Sequence, residues 1–282
     1  GFWGTTVHHQ YHRFSVWNAD ETMMFIETNS GGTGSGGQLF LNGSTYVPLY
    51  RRSAPSSWVE GRWHRTNPAL MIYTTGTALR SYNVAANTTA LIRDFAGTYT
   101  SMKFGQYEGD FSYDSNLVPF TATRTSDAKK VIFTYNVSTN TINTNIDVVA
   151  AGKTINDGMA HVSPLGTYLV AYYDDETRIV YNGVTGAVVS TFSGTQYPSH
   201  ASLALDIDGT TEIIIGSRTY SGGSGDVVKR RLSDGAITVL STPSYMYHCS
   251  AANYLDGDWV TIDGWSDSGV PYVNELVAVA KD

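Results

Sequence analysis

Apolar and polar positions alternate along this chain in short runs of about four to eight residues, the period of a half-buried strand. Leu70–Thr74, Ala78–Val84 and Thr89–Phe95 are three such runs in succession. His12–Asn18, Thr22–Thr28, Gln38–Asn42 and Thr45–Tyr50 are four more. Between them stand turn formers such as Asn67-Pro68 and Asn87. Helical spacing of apolar residues is not sustained anywhere. Sets of three or four runs return about every 45–50 residues, a period that signals propeller blades. Each blade has two apolar faces and needs a neighbour on both sides, so the repeat must close on itself or be capped.

Six units can be counted. They begin near His12, Trp63, Glu108, Asp157, His200 and His248. A marker recurs in three of them: His12, His200 and His248 each stand eight residues before a turn aspartate, Asp20, Asp208 and Asp256. A second marker links outer strands, as Tyr82 to Asn87, Tyr135 to Asn140 and Tyr181 to Gly186. The expected fold is all-β, a β-propeller of six four-stranded blades forming one domain over residues 1–282. Seven blades with one absent is the alternative. The sixth unit lacks a fourth strand, and Phe2–Val7 is expected to complete it. The glycine-rich stretch Ser30–Gly37 lacks the helix that a phosphate loop needs and reads as a long hairpin connection.

Composition narrows the function. Tyr (19) and Gly (28) are abundant and charged residues make up only 15%, which suits a β-fold. A net charge of −7 argues against a nucleic-acid backbone as partner, although a local basic patch for an anionic sugar is compatible with it. Cys249 is the single cysteine, so no intrachain disulfide forms. The composition suggests a secreted or cell-surface protein. No apolar run approaches the ~20 residues of a membrane helix. Gly1-Phe2-Trp3 opens directly on strand-like sequence without a signal-peptide pattern, as in a mature form or a fragment.

Several motifs carry a resemblance. Ser163-Pro164-Leu165-Gly166 and Asp208-Gly209 look like the Ser-Pro-Asp-Gly turns of TolB-like and WD40-like bacterial propellers, and the run Trp63 to Pro68 resembles their blade start. Most units depart from Ser-Pro-Asp-Gly, so no single family is named by it. Propellers of this kind include the oligogalacturonate lyases and some ulvan lyases, which cleave uronic-acid polysaccharides. The resemblance implies a propeller over nearly the whole chain. It also implies histidines that bind a metal or act as bases.

If first strands line the channel, their opening residues converge there. These are His12, Arg13, Trp63, Arg65, Tyr107, Glu108, Asp157, His200, Tyr247 and His248. Three chemistries fit. The first is β-elimination on a uronic acid, which needs a cation for the carboxylate, a base for the C5 proton and an acid for the leaving oxygen. His200 or His248 would be the base, since imidazole titrates near neutrality. Tyr107 or Tyr247 would supply the proton, and Arg13 or Arg65 would neutralise the carboxylate. Trp63, Arg65 and Tyr107 would bind substrate. The second is a divalent metal (Zn, Mn or Ca) held by His12, His200, His248, Glu108 and Asp157. The third is binding without catalysis, as a carbohydrate-binding or structural module of a larger surface or fibre assembly. The ordinary readings are polar groups that bond neighbouring strand backbones for the histidines, Glu108 and Asp157, packing for Trp63, solvated charges for Arg13 and Arg65, and rim positions for Tyr107 and Tyr247.

Overall fold

The structure is a computed structural model and describes residues 7–8, 15–28, 37–52, 59–104, 110–193, 199–219, 225–241, 246–250, 259–264 and 276–281. Every sheet is an antiparallel meander. The first contains β1 (Val7–His8), β2 (Met23–Thr28), β3 (Gly37–Asn42) and β4 (Pro48–Arg52). The second contains β5 (Val59–Trp63), β6 (Leu70–Thr75), β7 (Ala78–Asn83) and β8 (Thr88–Asp94). The third contains β9 (Tyr99–Lys103), β10 (Leu117–Arg124), β11 (Lys130–Asn136) and β12 (Thr141–Asp147). The fourth contains β13 (Ile155–Val162), β14 (Tyr168–Tyr173), β15 (Arg178–Asn182) and β16 (Val188–Phe192). The fifth contains β17 (Ser199–Leu205), β18 (Glu212–Thr219), β19 (Gly225–Arg231) and β20 (Ile237–Ser241). Three strands close the series: β21 (Met246–Ser250), β22 (Trp259–Gly264) and β23 (Leu276–Ala280).

This corrects the expectation of six four-stranded blades, and that of seven. Among the described residues five blades have four strands, and the last sheet has three. Val7, expected to complete the last blade, instead opens the first sheet, where it pairs with Thr28. Strand starts move as well. His12 and Glu108 were expected to open blades, but the described first strands of those units are β1 and β9. Trp63 ends β5 rather than opening it.

The middle strands of the third and fourth blades are buried on both faces because each of these blades is covered by two others. Val131 to Tyr135 of β11 and Leu169 to Tyr173 of β14 form unbroken buried runs. The outermost strands β8 and β16 face solvent. Cores therefore lie between blades. Ile72 and Leu79 of the second blade pack on Phe95, Tyr99, Phe104, Phe120 and Phe133. There Phe133 stacks on Tyr99 at 4.4 Å and on Phe120 at 5.1 Å.

Polar turns join one blade to the next. The turn after each first strand starts at Asn18, His64, Ser112, Ser163 or Asp206, whose N–H donates to Met23, Leu70, Leu117, Tyr168 or Thr211. These turns are bonded in sequence around the fold. The Asn18 side-chain amide donates to the Pro68 carbonyl (3.0 Å) and the Arg65 N–H to Ser115 Oγ (2.7 Å). The Tyr113 N–H donates to the Pro164 carbonyl (2.7 Å), and the Leu165 N–H to Glu212 Oε1 (2.7 Å). Turn polarity thus supplies bonds that the apolar blade faces cannot.

The outer-strand link shares one backbone conformation in five blades. In the second and third blades the Tyr82 and Tyr135 hydroxyls donate to Asn87 and Asn140, at 2.6 and 3.0 Å. Those asparagines have φ of 56°, in the left-handed region. Gly186 and Gly235 occupy the same position in the next two blades, with φ of 73° and 74°. In the first blade the position is Tyr46, with φ of 58°. A bulky L-residue there brings its Cβ too close to the following carbonyl, at about 1–2 kcal/mol. Tyr46→Asn is expected to stabilise the protein by about 0.5–1 kcal/mol, because asparagine tolerates this conformation better. A higher urea midpoint with unchanged slope would show it.

Candidate functional site

The innermost strands are not regular. In each of five sheets the ladder to the second strand shifts register once, in β9–β10 between Thr121 and Thr123. In β5, Val59 pairs with Thr74 but Arg62 with Ile72, so Glu60 and Gly61 stand out of the ladder. In β13 the pairs are Ile155 with Tyr173 and Ala160 with Ala171, which frees Asn156 to Met159. In β17 they are Ser199 with Ser217 and Ser202 with Ile215, which frees His200 and Ala201. In β21 they are Met246 with Gly264 and Cys249 with Ile262, which frees Tyr247 and His248. A bulge bends the strand and re-aims a side chain, and bulges gather beside functional sites.

Four candidates from the sequence therefore share one structural situation. Asp157, His200, Tyr247 and His248 all occupy bulges of innermost strands, in three consecutive units, and β17 packs directly against β21. The pairing also changes the equivalence drawn from the eight-residue spacing. Ser199 and Met246 open corresponding bulges, so His200 matches Tyr247, and His248 matches Ala201. His12, Arg13, Tyr107 and Glu108 lie outside the described residues.

The other candidates have described side chains, and each is tied to its surroundings. Trp63 is 5% exposed, its ring meets Phe40 edge-on at 5.8 Å, and its indole N–H donates to the Val16 carbonyl at 3.0 Å. It wedges the first blade onto the second. Arg65 is paired with Asp110, and its guanidinium lies 5.2 Å from the Tyr113 ring centre. Burial pulls the Arg65 pKa down while Asp110 raises it, and burial pushes the Tyr113 hydroxyl up. Arg65 thus spends its charge between blades.

Two further histidines are structural. His64 Nδ1 accepts the N–H groups of Thr66 and Asn67, at 3.3 and 3.2 Å, and desolvation lowers its pKa. His161 is 2% exposed and stacks on Tyr172 at 4.3 Å. Asp208, one of the marker aspartates, accepts both the Thr211 hydroxyl and the Thr211 N–H, which hold its carboxyl well below the usual range. It shapes a turn.

Glu60 was missed by sequence reasoning. It precedes Trp63, where the strand was expected to open, yet it occupies the β5 bulge. The one available signal was that a first strand must precede its turn, which Asn67-Pro68 already marked.

Backbone pairing alone places Glu60, Asp157, His200, Tyr247 and His248, and their side chains lie outside the described ones. Among the described residues no group of three or more His, Cys, Asp or Glu side chains comes together. The side chains of the expected ligands His12, Glu108, Asp157, His200 and His248 lie outside the described ones. No helix among them is long and apolar enough to cross a membrane.

No family model and no curated protein matches the sequence. Solved structures do. An oligogalacturonate lyase in complex with manganese aligns with a TM-score of 0.61 at 12% identity, over 94% of this chain and 74% of that one. The oligogalacturonate lyase of Vibrio parahaemolyticus aligns with a TM-score of 0.54 at 11% identity, over 98% and 76%. The β-propeller domain of Myceliophteria thermophila Cps50 (Swd1) aligns with a TM-score of 0.53 at 9% identity, over 99% of both chains. At these identities the likeness shows the fold, a β-propeller similar to those of oligogalacturonate lyases and of a WD40-type protein.

Proposed function

We propose that this propeller acts on an acidic polysaccharide outside the cytoplasm, as a polyuronate lyase working by β-elimination. The observation that carries the reading is the coincidence of Asp157, His200, Tyr247 and His248 with the bulges of consecutive innermost strands. The likeness of fold to two oligogalacturonate lyases supports the substrate class. In this reading His200 or His248 removes the C5 proton as a neutral imidazole. The electron pair forms the C4–C5 double bond as the C4–O bond breaks, and Tyr247 protonates the departing oxygen. Arg13 is the cation that neutralises the uronate carboxylate, since Arg65 is held by Asp110.

Elimination leaves an unsaturated uronate that absorbs in the ultraviolet. Wild-type protein incubated with polygalacturonate or ulvan is expected to produce that absorbance. His200→Ala is expected to lose at least a hundredfold in rate, as removal of a general base does. Absence of new absorbance on both glycans would remove the enzyme reading. The alternative, a non-catalytic carbohydrate-binding or structural module, is supported by the likeness of fold to the Cps50 (Swd1) β-propeller domain, which extends over 99% of both chains.

A further inference from the structure

The turns after the first strands begin at Asn18, His64, Ser112, Ser163 and Asp206, and each of these side chains caps a backbone N–H of its own turn. Asn18 Oδ1 accepts the Met23 N–H, Ser112 Oγ the Leu117 N–H, Ser163 Oγ the Tyr168 N–H and Asp206 Oδ1 the Ile207 N–H, all at 2.9 Å. His64 does the same with Nδ1, which accepts the N–H groups of Thr66 and Asn67 at 3.3 and 3.2 Å. A ring nitrogen accepts a hydrogen bond only while it carries no proton, so the neutral His64 ring keeps its proton on Nε2. Of these five caps, His64 is the one whose ordinary titration falls between about pH 5 and 8. Its turn also ties three blades together. The Pro68 carbonyl accepts the Asn18 amide of the first blade (3.0 Å), and the Arg65 N–H donates to Ser115 Oγ of the third (2.7 Å).

We propose that His64 is an acid-released latch: neutral, it caps the turn that joins the first three blades, and protonated, it leaves that cap and turns toward Asp114. Protonation at Nδ1 sets a ring N–H against the two backbone N–H groups it had accepted, so the cap cannot survive it. The charges around the ring set the direction of the effect. Burial acts most strongly and keeps the ring neutral, while the Asp114 carboxylate, in the third blade's turn, works against it. Asp20, in the first blade's turn, is bonded to Thr22 at 3.2 and 2.6 Å, and the Arg65 guanidinium is held by Asp110. The folded-state pKa of His64 therefore lies below its ordinary 6.5. Near that pH the unfolded chain binds more protons than the folded one. The stability that His64 contributes is complete above about pH 6.5 and is lost as the pH falls through the folded value.

Nitrogen NMR of histidine-labelled wild-type protein, with urea denaturation of wild type and His64→Asn, tests the proposal. At about pH 7.5 the His64 ring is expected to show a bare Nδ1 and a protonated Nε2, and to titrate below 6.5. His64→Asn gives the second blade the amide that the first carries at this position, Asn18, an acceptor at every pH. Its spectrum identifies the His64 signals by their loss, and His64→Gln serves that purpose should the first variant not fold. Between about pH 7.5 and pH 5 the unfolding constant of wild type is expected to rise at least threefold more than that of His64→Asn. The proposal is overturned if Nδ1 carries the proton near neutrality, if the ring titrates at or above 6.5, or if the two proteins lose stability equally. No glycan enters these measurements, so the latch and the lyase reading can fail independently.

Discussion

Asp110→Ala is expected to destabilise the protein by about 3–5 kcal/mol, the usual cost of leaving a buried charge without its counterion. Asp110 precedes Phe111 at the end of the third blade's inner segment, and its carbonyl also accepts the Val162 N–H of the fourth blade (3.1 Å). Its carboxylate meets Arg65, which comes from the turn after β5 and has a side chain only 5% exposed. Asp110 therefore touches two other blades, the second through its carboxylate and the fourth through its backbone carbonyl. Removing the carboxylate leaves the guanidinium in surroundings made by the Phe111 and Tyr113 rings, at 5.8 and 5.2 Å. Replacing both partners with apolar residues, as in Arg65→Met with Asp110→Leu, is expected to recover much of the loss, because no charge then remains to be solvated. Urea denaturation of the single and double variants measures the coupling. A single-variant loss below 1 kcal/mol would show that water reaches Arg65 and that the pair does not join the blades.

Phe133→Ala is expected to cost a similar amount, about 3–5 kcal/mol, through lost burial and an incompletely collapsed cavity. Phe133 is fully buried at the centre of β11. Its ring contacts Tyr99, Phe120 and Phe95, with centroids at 4.4, 5.1 and 5.8 Å. Phe95 belongs to the end of the second blade, so the cavity would open between blades rather than within one. The expected sign is a lower melting temperature with an intact far-ultraviolet spectrum below it. Phe133→Leu, which leaves less empty volume, should fall between the two. Equal losses for leucine and alanine would mean that ring stacking, not volume, holds the two blades together.

Much of the strand pattern was legible because it rests on local chemistry. Leu70–Thr74 and Ala78–Val84 alternate or run apolar according to how many faces are covered, and both are strands within a residue or so. The outer links were legible for the same reason. A tyrosine and an asparagine five residues apart meet across one turn, as Tyr82 with Asn87 and Tyr135 with Asn140. The candidate site was legible only in part. His200, His248, Tyr247 and Asp157 could be picked out as polar residues at the head of apolar runs. Their equivalence could not, because a one-residue bulge shifts the register without leaving a mark in residue spacing.

The sequence by itself determined that this protein is built of short antiparallel strands in repeated sheets, since alternation and turn residues act over a few positions. It also determined where most turns fall, because Asn, Gly and Asp reach left-handed or capped conformations that other residues avoid. Tertiary structure alone decided the rest. It assigned Val7 to the first sheet, limited the four-stranded blades to five among the described residues, and gave Trp63 and Arg65 to blade junctions. The physical reason is that these outcomes depend on partners far along the chain: Val7 pairs with Thr28, Trp63 bonds Val16 47 residues away, and Arg65 meets Asp110 45 residues away. Trp63 looks the same in sequence whether it faces a sugar or Phe40, and Arg65 whether it faces a uronate or Asp110. Only the packing of one blade on the next decides between them.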